Sequence, residues 1–68
     1  MLLVILYGKH AREQMILRGV SEKEVEEGIK RGAKELQEPN KILFYYKYFC
    51  VVAKKIGEDY FVITVKPR

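Results

Sequence analysis

His10 is the only histidine of this 68-residue chain, and it is the residue best suited to transfer a proton near neutral pH. It stands where an apolar run gives way to a helical pattern, so its imidazole would lie at the start of a helix. The other interpretation is that His10 caps that helix or packs against the first strand, and the sequence leaves both open. Arg12 follows two residues later and adds positive charge to the same segment.

The last third of the chain combines basic side chains with aromatic rings. The basic residues are Lys47, Lys54, Lys66 and Arg68, and the tyrosines among them are Tyr45, Tyr46, Tyr48 and Tyr60. Cations bind the phosphates of a nucleic acid and tyrosine rings stack on its bases, so the pattern is typical of a surface that binds single strands. The alternative is structural, because lysines deter edge pairing of strands and tyrosines favour half-buried strand positions.

The composition indicates one folded domain, residues 1–68, with a net charge of +4. A content of 49% hydrophobic and 32% charged residues is typical of a globular chain, and the positive charge permits an anionic partner. The single cysteine, Cys50, cannot form an intramolecular disulfide, and with His10 it offers too few ligands for a metal ion. We therefore predict no metal, no cofactor, a core position for Cys50 and a cytoplasmic location.

Residues 10–29 predict two short helices joined at residues 18–21. Gly19 suits the left-handed conformation that closes a helix. Ser21 followed by Glu24 is a capping box, which begins the second helix. Val25 and Ile29 then mark the buried side of that helix, which ends at Gly32.

The segments on either side of the hairpin predict strands. The first apolar run is too short to span a bilayer and lacks the features of a secretory signal, so we predict a strand and no membrane association. A turn is predicted at residues 38–41 because Pro and Asn occupy its central positions. The predicted strands are Leu2–Tyr7, Ala33–Gln37, Ile42–Tyr46, Phe49–Ile56 and Tyr60–Lys66, with Pro67 as the stop. The predicted class is α+β, with an N-terminal strand, a two-helix hairpin and then an antiparallel meander of three to four strands.

Side-chain alternation predicts that both faces of the sheet are apolar. In one strand Phe49, Val51 and Ala53 oppose Cys50, Val52 and Ile56, and in the last strand Phe61, Ile63 and Val65 oppose Tyr60, Val62 and Thr64. Two short helices cover only one face, so the second face is either an exposed cleft or the seat of a partner. The alternative is a strongly twisted sheet whose strands share one core.

Several short motifs resemble those of a widespread family of small domains similar to the RelE and BrnT toxins of toxin-antitoxin pairs. The motifs are His10-Ala11, Met15, Arg18-Gly19-Val20-Ser21, Val25 and Val62-Ile63-Thr64-Val65. The resemblance covers nearly the whole chain from His10 onward. It implies a compact RelE-like fold, in which better-known members cleave messenger RNA, often on the ribosome, and are neutralised by an antitoxin.

We therefore expect a metal-independent endoribonuclease toxin that acts on messenger RNA, including RNA on the ribosome. Such cleavage needs a group that transfers a proton and cations that stabilise the phosphorane. The expected catalytic residues are His10, Lys54 and Arg68, and the expected RNA-binding residues are Arg12, Lys47, Tyr48, Tyr60 and Lys66. An antitoxin protein or a second copy of the chain is the expected protein partner.

Two other functions fit the same sequence. The first is a non-catalytic module that binds protein or RNA on the same fold. The second is a helix-turn-helix DNA binder, which we discount because its recognition helix would carry four carboxylates that repel phosphates. Those carboxylates belong to Glu22, Glu24, Glu26 and Glu27.

Overall fold

The computed structural model describes residues 4–37 and 39–68 of the chain. Its elements in order are β1 (Ile5–Tyr7), α1 (Lys9–Arg18), α2 (Glu22–Arg31), β2 (Ala33–Gln37), β3 (Lys41–Tyr46), β4 (Phe49–Ile56) and β5 (Asp59–Pro67). The predicted α+β class and the predicted order of elements are confirmed. Leu2 and Leu3 of the first predicted strand, and Glu38 of the predicted turn, lie outside the described residues. β5 is longer than predicted, because Pro67 occupies its last position and does not stop it beforehand.

The helix boundaries follow from local hydrogen bonds. Gly19 closes α1 in the left-handed conformation, with φ of 69°, and the N–H of Val20 donates to the carbonyl of Met15 at 2.9 Å. At the start of α2, the backbone N–H of Glu24 donates to Ser21 Oγ at 3.2 Å. The Glu24 carboxylate accepts from the backbone N–H of Ser21 at 3.1 Å, so the predicted capping box is confirmed.

The five strands form one mixed sheet in the order β1-β5-β4-β3-β2. β2 to β5 make the antiparallel meander, whereas β1 runs parallel to β5, with Ile5 opposite Tyr60. The first and last strands of the chain are therefore neighbours. The two short turns that join β3 to β4 and β4 to β5 contain positive φ angles, at Lys47 (51°) and Gly57 (61°).

Both helices pack on the same face of the sheet, which we call the covered face. The main core lies between these layers, and its buried side chains are Ala11, Met15, Val20, Val25, Ile29, Ile42, Phe44, Phe49, Val51, Ala53, Val62 and Val65. No buried polar side chain is found among residues 4–37 and 39–68. This core is therefore built from apolar packing alone.

The opposite face of the sheet, which we call the open face, carries a second and smaller apolar cluster. Leu43, Cys50 and Val52 are buried there, and Tyr45 and Ile63 pack against them. Alternation along the strands adds the side chains of Glu35, Lys41, Lys54, Phe61 and Lys66 to this face. The described helices lie on the other side of the sheet, so this cluster depends on its own neighbours for cover.

The predicted alternation along β5 is wrong at one step. Val62 and Val65 both belong to the main core, whereas Ile63 packs on the open face. A register shift explains this, because two successive residues of β4 pair with Thr64 and Val62 and leave Ile63 without an opposite partner. Such a bulge inserts one residue and reverses the alternation beyond it. Phe61 and Val65 therefore face opposite sides.

Candidate nucleic-acid interface

Three lysines on the open face form the first part of the candidate interface. Lys41 and Lys54 are directly opposite each other on β3 and β4, and Lys66 on β5 lies opposite Cys50. All three lysines are exposed, and none has a carboxylate partner within ion-pair distance among residues 4–37 and 39–68. Like charges that face each other across a strand pair are destabilising. A bound anion would relieve that repulsion.

A cluster around Tyr45 forms the second part. The Tyr45 hydroxyl donates to the Glu35 carboxylate at 2.7 Å, and the Arg68 guanidinium lies 5.8 Å from the centre of the Tyr45 ring. Arg68 Nη1 also donates to the carbonyl of Lys47 at 3.3 Å, which fixes the side chain over the ring. The hydrogen bond to Glu35 favours the neutral phenol and raises the pKa of Tyr45.

Phe61 supplies a second aromatic ring at the other end of the open face. It is opposite Lys54 on β4 and Leu6 on β1, and it is partly exposed. Two strand spacings and four residues separate it from Tyr45, which places the two residues about 16 Å apart. The open face therefore offers two rings with cations at both ends. Among residues 4–37 and 39–68, the strand register places the carboxylates of Glu35, which is bonded to Tyr45, and of Asp59 at the start of β5 on this side.

Cys50 lies between these groups but contributes no reactive thiol. It is fully buried, which confirms its predicted core position. Burial raises the pKa of the Cys50 thiol, and the nearby Lys66 ammonium opposes that change only in part. The thiol is therefore neutral near neutral pH and acts as a small apolar side chain.

Tyr48 and Tyr60, the two tyrosines predicted to bind RNA, do not lie on the open face. Tyr60 is on the covered face, where its ring packs edge-on against Phe44 with the centroids 5.6 Å apart. Tyr48 lies in the turn between β3 and β4, and its hydroxyl donates to the carbonyl of Gly19 at 3.3 Å. Lys47 precedes it in that turn, with its ammonium 5.6 Å from the Tyr46 ring. Neither Tyr48 nor Tyr60 shares the open face with Lys54 and Lys66.

His10 and Arg12 are on α1, and therefore on the other side of the sheet from Lys54 and Lys66. His10 is exposed at the second position of the helix. Arg12 forms an ion pair with Glu22 at 2.7 Å and lies 5.0 Å from the Tyr7 ring centre. The structure thus brings Lys54, Lys66 and Arg68 to one face but separates His10 from them.

Three members of the open-face set were not predicted as site residues from the sequence, and a fourth was recognised only in part. Lys41, Glu35 and Phe61 were not singled out, and Tyr45 was recognised only as one of several tyrosines. The signal that identifies them is the strand register, because Lys41 matters through its position opposite Lys54 and Glu35 through its bond to Tyr45. A register of this kind follows from turn geometry and packing and is not visible in residue spacing alone.

Two further properties of the described residues bear on the function. Among residues 4–37 and 39–68, no group of three His, Cys, Asp or Glu side chains is arranged to hold a metal ion. Neither of the helices in this part of the chain has the length and apolarity that a membrane-spanning helix needs.

The comparison with known proteins gives a family match that covers nearly all of the described fold. A family model described as Domain of unknown function (DUF4258) matches residues 7–67. The match runs from the last residue of β1 to the last residue of β5. No curated protein matches the sequence, and no solved structure matches the chain.

Proposed function

This chain belongs to the DUF4258 domain family, and we propose that it binds single-stranded RNA on the open face of its sheet. The observation that carries the proposal is the pairing of Lys41 with Lys54 beside Phe61 on the same face as Tyr45. Lysines placed opposite each other cost stability unless they meet an anion. The phosphates of an RNA strand supply such anions at regular intervals.

Single-stranded RNA suits this surface better than a duplex does. Sequence-tolerant binding of single strands combines a basic track with aromatic rings on which bases stack. The open face has cations at both ends, with Tyr45 and Phe61 as the two rings. Many proteins that recognise a duplex insert a helix into its groove. The described part of the chain has no helix on the open side of the sheet.

The test compares lysines that are neighbours in sequence but face opposite sides. Lys54 is on the open face, whereas Lys55 is on the covered face with its ammonium 6.0 Å from the Tyr60 ring. Binding of a labelled single-stranded RNA is measured by fluorescence anisotropy over a series of salt concentrations. The double variant Lys54→Ala with Lys66→Ala should lower the salt slope by about 1.4, since each phosphate contact to a single strand contributes about 0.7.

The matched control is the double variant Lys34→Ala with Lys55→Ala, which removes the same charge from the covered face. Lys34 is on β2 with its ammonium 6.0 Å from the Phe44 ring, so it belongs to that side. This control should change the slope by much less. Equal slopes for the two double variants would show that binding reflects net charge alone, and the proposal would fail.

The second candidate function is a metal-independent endoribonuclease that acts as a toxin on messenger RNA. The cluster of Tyr45, Glu35 and Arg68 supports it, because a proton-transfer pair lies there beside a cation. In such a reaction a base takes the proton of a 2′-hydroxyl and the oxygen attacks the phosphorus. The 5′-oxygen then leaves with a proton, and a 2′,3′-cyclic phosphate remains.

The enzyme candidate has its own test. Free RNA and RNA on translating ribosomes are incubated with the protein, and the products are examined for 2′,3′-cyclic phosphate ends. Tyr45→Phe should abolish cleavage while RNA binding is retained, and His10→Ala should have the same effect if His10 is the proton-transfer group. Induction of the wild-type chain should also arrest growth. If neither RNA is cut and growth continues, the RNA-binding module stands without catalysis.

A protein partner is part of the toxin candidate. An antitoxin or a second copy that covers the open face would cover the partly exposed Tyr45 and Ile63 and would compete with RNA for Lys54 and Lys66. Such a partner should release bound RNA in the same anisotropy measurement. A partner that binds without displacing RNA would contradict this part of the proposal.

A further inference from the structure

β2 forms one edge of the sheet, and its outer side has no partner strand in the described part of the chain. It pairs with β3 through five consecutive residues, from Ala33 opposite Tyr45 to Gln37 opposite Lys41. All five residues are exposed. Alternate N–H and C=O groups of an edge strand point away from its neighbour, so β2 presents a regular row of unpaired backbone donors and acceptors.

The features that usually block an edge strand are absent from residues 33–37. Proteins protect such edges with very short strands, prolines, bulges or lysines. The opposite edge strand, β1, has only three residues, whereas β2 has five, an unbroken register with β3 and no proline. The ammonium of Lys34 is 6.0 Å from the Phe44 ring of β3, so this charge lies over the sheet and not beyond its edge.

Leu36 adds an apolar side chain without cover to this edge. It is 78% exposed although it is on the covered face, opposite Ile42, and it lines a shallow groove with Pro39 and Ile42. A single exposed leucine is common on protein surfaces. Here it belongs to a strand whose outer backbone is also unpaired, and a second strand would cover both.

We propose that two copies of this chain pair antiparallel through β2, with Leu36 of one copy opposite Leu36 of the second copy. A two-fold axis perpendicular to the sheet relates the copies, and two-fold symmetry is the commonest symmetry of dimers. The two leucines then contact each other on the covered face. On the open face, Glu35 of each copy is opposite Gln37 of the other. The Gln37 amide donates to the Glu35 carboxylate, of which the Tyr45 hydroxyl uses only Oε1.

The charges of β2 select this register. Opposite side chains lie on the same face of a sheet, so the two-fold axis must pass through a residue position. At Glu35 the axis would place two carboxylates opposite each other, and at Lys34 two ammonium groups, and like charges directly opposite are destabilising. At Ala33 or Gln37 the axis would leave most of β2 unpaired. At Leu36 it pairs an apolar residue with itself and a carboxylate with an amide.

A second copy is the occupant that β2 itself supports, because its own sequence provides a complementary side chain at each of these positions. The contact is also closed, since pairing two β2 strands uses both edges and stops at a dimer. The two five-stranded sheets become one continuous sheet, with both open faces on the same side. The lysines of the open face stay uncovered, so the proposal does not rest on RNA binding and is compatible with it.

The first test determines the register by disulfide cross-linking. Residues directly opposite in an antiparallel pair have Cα atoms about 4.5–5.5 Å apart, which a disulfide can bridge. Leu36→Cys should therefore form a covalent dimer on mild oxidation, as followed by non-reducing gel electrophoresis. Glu35→Cys is the control, because the two copies of that position would be about 8 Å apart, beyond the reach of a disulfide. The native Cys50 is fully buried and does not compete.

The second test alters the pair formed by Glu35 and Gln37 and measures dimer dissociation by sedimentation velocity over a range of concentrations. Gln37→Glu places two carboxylates opposite each other at two places in the dimer and should weaken it about tenfold. Gln37→Lys replaces the amide with a cation and should strengthen the dimer about threefold. Gln14→Glu makes the same charge change on α1, which contacts β5 and not β2, so dissociation should not change.

Three results would overturn the proposal. The first is a wild-type chain that sediments as a monomer at every concentration up to the millimolar range. The second is equal cross-linking of Leu36→Cys and Glu35→Cys. The third is a dimer that Gln37→Glu leaves intact and Tyr45→Ala dissociates, which would place the second copy on the open face. None of these measurements contains RNA, so the result is independent of the RNA-binding proposal.

Discussion

The covered face and the open face are made from the same strands, yet they differ in nearly every respect. Phe44, Val51 and Val62 are fully buried on the covered face under two helices. The open face has a small apolar cluster that is bordered by Lys54 and Lys66. The covered face contains the groups that hold the fold together, and the open face contains the groups that could meet a ligand.

The comparison teaches that neighbouring residues of one strand have different roles. Successive side chains of a strand point to opposite faces, so Val51 and Val52, or Lys54 and Lys55, experience different surroundings. Variants at such neighbours share the same backbone and nearly the same sequence context. Such pairs of variants therefore test directly whether one face determines stability and the other determines binding.

The largest expected effect is on the covered face, at Phe44. Phe44→Ala removes a fully buried ring and should cost about 3–5 kcal/mol of unfolding free energy. A 68-residue domain has only about 3–10 kcal/mol in total, so this variant should be largely unfolded by circular dichroism. Phe44→Leu retains most of the apolar volume and should cost about 1–2 kcal/mol in urea denaturation.

Tyr45→Ala is the matched variant on the open face. Tyr45 is only partly buried, so its loss should cost about 1 kcal/mol and leave a cooperative transition. Equal losses of unfolding free energy for Phe44→Ala and Tyr45→Ala would contradict the difference between the faces, because both faces would then contribute equally to stability.

The next prediction compares the loss of stability at two buried valines on opposite faces of the sheet. Val51→Ala should cost about 2–3 kcal/mol, because the cavity it leaves is enclosed by the helices. Val52→Ala should cost about 1 kcal/mol, since solvent and flexible side chains can reach the open face. Denaturation midpoints in urea measure both values. If Val52→Ala lost more unfolding free energy than Val51→Ala, the open face would be covered by a partner in solution.

A smaller effect is expected at the cap of α2. Ser21→Ala removes the oxygen that accepts from the Glu24 N–H and should cost about 1 kcal/mol. Because α2 covers only one face, RNA binding at the open face should be unchanged when measured well below the melting temperature. Ser21→Asp is the control, because aspartate also caps a helix, and it should restore the stability. A change in RNA affinity with Ser21→Ala would show that the faces are coupled.

The smallest effect is a change in the titration of Tyr45. The phenol normally titrates near pH 10, and the hydrogen bond to Glu35 raises the pKa of Tyr45 above its usual value. Because the folded pKa is raised, the stability from this bond is present below the usual pKa and is lost as pH rises through the raised one. Glu35→Gln should lower the pKa of Tyr45, as followed by NMR of labelled tyrosine.

Tyr7 provides the control for that titration. Burial is the main cause that raises the pKa of Tyr7, with Glu22 as the second, and neither depends on Glu35. The pKa of Tyr7 should therefore stay the same in Glu35→Gln. If both tyrosines shift together, the change reflects a general loss of structure and not the removed hydrogen bond.

Much of the fold could be predicted because its signals are local. The capping box at Ser21 and Glu24 and the left-handed Gly19 lie within one or two turns of the helix ends that they define. The alternation along β4 likewise gave the correct faces for Val51 and Val52. The bulge at Ile63 could not be predicted, because it depends on how β5 aligns with β4 and not on the residues of β5 alone.

The site was predicted less completely, for the same reason. Lys54, Lys66 and Arg68 were predicted as site residues from their charge, and they do share the open face. Tyr60 and His10 were predicted from their ring and their imidazole, but they lie on the other side of the sheet. Residue type identifies which groups can act, whereas register decides which groups meet. The assignment to a RelE-like toxin and the catalytic role of His10 stay predictions that the cleavage experiment decides.

The parallel pairing of β1 with β5 has a consequence for the order of folding. Ile5 and Tyr60 are neighbours in the sheet but are far apart in the chain, and α1 packs mainly on the same last strand. β2, β3 and β4 can pair as successive hairpins, whereas β1 and α1 must wait until β5 is available. The hairpins of β2, β3 and β4 would therefore form early in folding, and the N-terminal segment would dock in a later step, once β5 has paired with β4.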